Sequence, residues 1–71
     1  MGLTSARMTP VVTYDADVDA AYIRFSRQKV RESEEVAQGI VLDYDAEGRI
    51  VGMEVLDAKL HLPSDVLTQA A

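Results

Sequence analysis

The chain has 71 residues, too few for two domains, and a chain of this size buries only about 60% of the surface its unfolded form exposes. Seven basic residues against twelve acidic ones give a net charge of -5, which argues against a nucleic-acid backbone or an anionic membrane as the main partner. The absence of cysteine excludes disulfides, zinc–thiolate sites, iron–sulfur clusters and thiol nucleophiles.

Residues 1–10, MGLTSARMTP, read as a flexible tail, and residues 11–71 as one small β-rich domain. The tail lacks the long apolar stretch of a secretory signal, and no apolar run approaches the roughly 20 residues of a membrane span. A cytoplasmic protein without a membrane partner is the expectation. Val11 to Tyr14 predicts the first strand, rich in β-branched and aromatic residues. It ends at Asp15-Ala-Asp17-Val-Asp19, whose short carboxylates suit a turn. Ala20 or Ala21 to Phe25 predicts a second strand, with Ala21, Ile23 and Phe25 on one face and Tyr22 and Arg24 on the other. Ser26 to Lys29 is a polar turn. Val30 to Val36 fits neither helical nor strand periodicity well, and is best read as a short exposed edge strand whose charges prevent further pairing.

Ile40 to Tyr44, the turn Asp45-Ala-Glu47-Gly48 and the return Arg49 to Leu56 form the clearest hairpin, with Gly48 expected at positive φ. Gly52 inside the return strand marks a bulge or a close approach of another element. Pro63, Ser64 and Asp65 are helix-start residues, and a short helix is expected from about Pro63 to Gln69. The fold class is therefore α+β, a small antiparallel β-meander of four to five strands with a short C-terminal helix. The expected core is Val12, Tyr14, Ala21, Ile23, Phe25, Leu42, Tyr44, Val51, Met53, Val55, Leu60 and Leu67. The opposite face also carries apolar residues, namely Tyr22, Val41, Ile50 and Leu56. One short helix cannot cover both faces, which points to a homo-oligomer or to a protein partner that completes the coverage.

Four groups of residues invite a chemical reading. Asp15, Asp17 and Asp19, and again Asp43, Asp45 and Glu47, alternate as carboxylates that could hold a hard divalent cation. Neither run matches a calcium loop, and turn stabilisation is the favoured reading. His61 is the single histidine. It has no metal-ligand spacing and no adjacent nucleophile, so it reads as a surface or junction residue that Asp57 could orient. Glu54 and Arg24 share a face and could form a structural or interface ion pair. Arg24, Arg27, Lys29 and Arg31 form the only basic cluster. Glu32, Glu34 and Glu35 follow at once, without an interleaved aromatic platform, so nucleic-acid binding is not expected. No phosphate-binding glycine loop, nucleophile elbow or metalloprotease helix is present, and neither catalytic residues, metal ligands nor a cofactor are assigned.

Tyr14-Asp15, Asp19-Ala-Ala-Tyr22-Ile23, Glu35, Gly39, Asp43-Tyr-Asp45 with Gly48, and Ile50-Val-Gly52-Met-Glu54-Val-Leu56-Asp57-Ala58 stand in a specific order. That order resembles the bacterial and archaeal family of small proteins catalogued as domain of unknown function 2283, over roughly residues 11 to 62. Ala21 stands where that family usually has a larger aliphatic, and Met53 where it often has Ile. The resemblance implies a small β-rich fold with a terminal helix, and no established activity. Some members are encoded beside small toxin-like proteins, which implies an antitoxin-like or other binding role. Two functions follow as expectations. The first is a self-associating interaction module without catalysis. The alternative is a carboxylate-based divalent-metal-binding protein or metal-dependent hydrolase, which requires Asp15, Asp19, Asp43 or Asp45 to converge in space.

Overall fold

The computed structural model describes residues 10–68. The expected tail, apart from Pro10, and Gln69 to Ala71 lie outside the described residues. Five strands form one antiparallel sheet: β1 (Val11–Asp15), β2 (Ala20–Arg24), β3 (Glu32–Ala37), β4 (Ile40–Tyr44) and β5 (Ile50–Leu56). Two short helices follow, α1 (Ala58–His61) and α2 (Ser64–Thr68). The α+β class is thus as expected. The spatial order is β1-β2-β5-β4-β3. A β1–β2 hairpin and a β3–β4–β5 meander meet where β5 pairs with β2. The connection from β2 to β3 crosses the width of the sheet at one end. It is pinned there by the amides of Phe25 and Ser26 on the carbonyl of Val51 (2.9 and 3.2 Å) and by the Arg31 amide on that of Tyr44 (2.7 Å).

Cross-strand register sorts the side chains into rows. On one face, Tyr14, Ala21, Val55 and Ile40 lie side by side across four strands. Ala58 of α1 seals this row, and Leu62 and Leu67 pack against it. Val55 and Ala58 are fully buried there. The next row on the same face, Val12, Ile23, Met53 and Leu42, is only half-buried, and of these Met53 packs against the buried cluster. Val51, 1% exposed, sits at a bulge where β5 slips by one residue against Asp43 and Tyr44.

The helix expected from about Pro63 to Gln69 is present as α2, and a further helical turn, α1, precedes it. Leu62 precedes Pro63, whose ring disfavours helical backbone at the residue before it, and Leu62 is extended (φ -121, ψ 142). α1 therefore ends before Pro63 and stays separate from α2. In one turn of helix, Ala58 and Leu62 share the side facing the sheet, while Leu60 two positions on points away. Leu60 is 81% exposed and does not belong to the core, and Ala58 takes the place assigned to it. Phe25, just beyond the end of β2, is also exposed rather than central. β3 is an edge strand, exposed along its whole length, as its charge pattern predicts.

Candidate functional site

The fold disperses the two carboxylate runs, and most of their members have a local hydrogen-bonding role. Asp15 Oδ1 accepts the Asp17 amide (3.0 Å) and shapes the β1–β2 turn. Asp19 adopts a left-handed backbone (φ 52), which Asp tolerates better than most residues. That conformation lets it join the turn to α1. Its Oδ1 accepts the Tyr14 hydroxyl (2.7 Å) and the Lys59 amide (3.2 Å), and its carbonyl accepts the Ala58 amide (2.9 Å). The bond to Asp19 is the main reason the Tyr14 phenol is pushed above its ordinary value. Asp43 sits on the opposite face of the sheet, one residue before the end of β4. Asp45 is held in the β4–β5 loop. Among the described residues, no three His, Asp or Glu side chains gather to hold a metal ion. The convergence required by the metal-binding alternative is absent from this set.

Asp45 is the organising residue of its loop and is only 7% exposed. Its Oδ1 accepts the amides of Glu47 and Arg49, both at 2.9 Å, and its Oδ2 lies 3.3 Å from the Arg49 guanidinium. These donors, the Arg49 amide foremost, hold the carboxyl below its ordinary 3.8. A depressed carboxylate stabilises the fold above its unfolded value and loses that contribution as pH falls through the folded one. Asp45→Asn should therefore melt below the parent at neutral pH. The two melting temperatures should converge as pH is lowered below 3.8. Thermal unfolding monitored by circular dichroism between pH 7 and the acid limit checks this, and parallel curves would contradict it.

His61 stands at the sheet–helix junction. Its Nδ1 faces the carbonyls of Leu56 (2.9 Å) and Asp57 (3.2 Å), so that nitrogen carries the proton and donates. The backbone of Asp57, rather than its carboxylate, orients the ring. Gln38, Asp57, Leu60 and His61 line a shallow depression there, with no nucleophile among them. The Glu54–Arg24 pair is not formed. Register places Tyr22 and Val41 opposite Glu54, and Gly52 opposite Arg24. Glu54 is exposed, and Arg24 instead donates to the Gln28 carbonyl (2.8 Å) across the polar turn.

The feature with the most internal order lies on the sheet face away from the helices. The Tyr22 ring leans from β2 across β5, over Gly52, and its hydroxyl donates to Asp43 Oδ2 on β4 (2.6 Å). Ser33 on β3 donates to the other oxygen, Oδ1, at 2.5 Å. Partial burial, then the bond to Asp43, pushes the Tyr22 phenol above its ordinary value. Four of the five strands are braced by this chain of contacts. The signal for it in the sequence was Gly52, a residue with no side chain at the centre of a strand, with Tyr22 on the matching face. Nothing in the sequence marks Asp43, a strand residue in an alternating carboxylate run, as the partner of Tyr22. Around this brace the face is mixed: Val11 (48% exposed), Val41 and Leu56 alternate with Thr13, Arg24, Glu35 and Glu54. An open depression of about 240 Å³ is lined by Thr13, Tyr14, Asp15, Ala20, Ala21, Tyr22 and Glu54.

Fold and face together define a small five-stranded antiparallel domain with helices on one side and an uncovered, hydrogen-bonded surface on the other. The family model described as "Protein of unknown function (DUF2283)" matches residues 11–59, and the chain belongs to that family. The match runs from the first strand to the first helix and takes in the whole sheet. No curated protein and no solved structure matches the chain.

Proposed function

We propose that the protein is a small interaction module without catalysis of its own, and that it associates with itself. The observation that carries this is the balance of apolar surface. Among the described residues only Ala21, Val51, Val55 and Ala58 are buried hydrophobics. Val11, Phe25, Val30, Val36, Ile50 and Leu56 are large and exposed on or beside the sheet. A core of this size leaves a small domain marginal on its own, and burial against a second copy stabilises both the fold and the assembly. Binding rather than turnover is supported by the site itself. Five of the six clustered carboxylates, Asp15, Asp19, Asp43, Asp45 and Glu47, are engaged by local amides, hydroxyls or an arginine, and His61 is engaged by backbone. Sedimentation velocity at tens of micromolar protein is the test. A dimer or larger species is expected, and a single monomeric boundary across that range would overturn the reading.

No helix of the described residues is long and apolar enough to cross a membrane. A cytoplasmic location fits the proposed role.

A further inference from the structure

The geometry points to the outer edge of β1 as the self-association surface, paired antiparallel with β1 of a second copy about a dyad at Thr13; this assignment rests on the self-association proposed above. A sheet of five strands has two edges, and among the described residues these are β1 and β3, each with a row of backbone donors and acceptors that no other described strand pairs. They differ sharply in chemistry. β3 carries Glu32, Glu34 and Glu35 and is exposed throughout. Pairing it with its own copy sets glutamate beside glutamate, and like charges across strands are destabilising. β1 reads Val-Val-Thr-Tyr-Asp, with a single charge at its far end.

A dyad at Thr13 satisfies both charge and packing. Thr13 then faces its own copy, Val12 faces the partner's Tyr14, and Val11 faces the partner's Asp15. The two Asp15 carboxylates fall at opposite ends of the ladder and never meet. Because the axis is perpendicular to the sheet, each face continues across the junction. The half-buried Val12 lies on the same face as Tyr14, at the margin of the helix-covered cluster. In the pair it comes to rest beside the partner's Tyr14. Pairing β1 with a partner's β3 instead leaves two free edges at the ends and propagates into an open filament, whereas the β1–β1 pair closes. Pro10 limits the ladder at Val11, since it has no N–H to donate. Five residues of strand make a small interface, so the pair should be of roughly micromolar strength.

The test is Thr13→Lys, at an exposed position where a single lysine is harmless to the monomer. In the pair it sets two ammonium groups against each other at the dyad, and the dissociation constant should rise about tenfold or more. Circular dichroism and thermal melting of the dilute protein establish that the fold is intact. Mixing Thr13→Lys with Thr13→Glu should restore the dimer, a result that mere misfolding cannot produce. Hydrogen exchange supplies an independent readout: β1 amides should lose protection on dilution of the parent, while β3 amides should not. A parent that is monomeric throughout sinks this assignment together with the self-association proposal. A parent dimer that survives Thr13→Lys, with β1 exchange independent of concentration, overturns the edge assignment alone.

Discussion

Gly52→Ala should destabilise the protein although it replaces glycine by a better strand former. Gly52 is buried beneath the Tyr22 ring, not by the core. A β-carbon on Gly52 would collide with the Tyr22 hydroxyl and come within 2.6 Å of its Cζ. Both atoms are at the far end of a side chain, so the ring moves and the backbone stays. What is lost is the position of the phenol, and with it the bond to Asp43. The expected cost is about 1–3 kcal/mol, the scale of a displaced side chain together with a broken partly buried hydrogen bond. For a chain of this length total stability is of order 4–10 kcal/mol, so the effect should be evident in urea unfolding. The decisive comparison is a double-mutant cycle. In a Tyr22→Ala background nothing remains for the new methyl to displace, and Gly52→Ala should become neutral or stabilising. Additive effects of the two substitutions would show that Tyr22 and Gly52 are not coupled in this way. Tyr22→Phe keeps the ring over Gly52 and removes only the donor, so it should cost less than Gly52→Ala.

The strands were legible because their information is local. Alternation in Ala20–Arg24 and Ile40–Tyr44 and turn residues at Asp15–Asp19 and Asp45–Gly48 each specify an element without reference to the rest of the chain, whereas the segment of β3 fits no periodicity and only its charges suggest an edge. The partnership of β2 with β5 was not legible. It joins segments some thirty residues apart, and nothing in either strand names the other. The core list suffered accordingly. Val55 is buried under α1 and Val51 at the bulge of the central strand, while Leu42, Met53 and Ile23, with the same alternation, are only half-buried. Leu60 is outside the core because it lies on α1, a helical turn the sequence did not signal, and points away from the sheet there. The brace on the open face illustrates the same limit. Gly52 signalled a close approach, but that the approaching group is Tyr22, bound to Asp43 and through it to Ser33, follows only from register. Glu54 and Arg24 were joined by face and not by row, and the row decides which side chains meet.

Gly48→Val isolates a purely conformational cost. Gly48 closes the β4–β5 turn with φ +77, and its amide donates to the Asp45 carbonyl (3.0 Å). No atom outside its immediate neighbours lies within 4 Å of where a β-carbon would stand. Packing therefore contributes nothing to the penalty, which arises from forcing a β-branched residue into the left-handed region. The expected loss is about 1–3 kcal/mol. Asn at the same position tolerates that conformation and should recover most of it, and Ala should fall between the two. The ranking Gly, Asn, Ala, Val in order of falling stability distinguishes conformational strain from a general sensitivity of the loop. The consequences should extend beyond the turn. The Asp45 carboxylate receives the amides of Glu47 and Arg49 on either side of Gly48, so a backbone that leaves the left-handed region withdraws those donors as well. The pairing of Asp43 with Gly52 and of Tyr44 with Ile50 begins immediately beyond the loop, and it fixes which faces of β4 and β5 meet. Amide exchange in Gly48→Val should therefore accelerate first at Arg49 and along the loop-proximal ends of β4 and β5. A variant that melts within about a degree of the parent, where a loss of 1 kcal/mol should shift a domain this small by about 4–8 °C, would show that the turn does not depend on the left-handed residue.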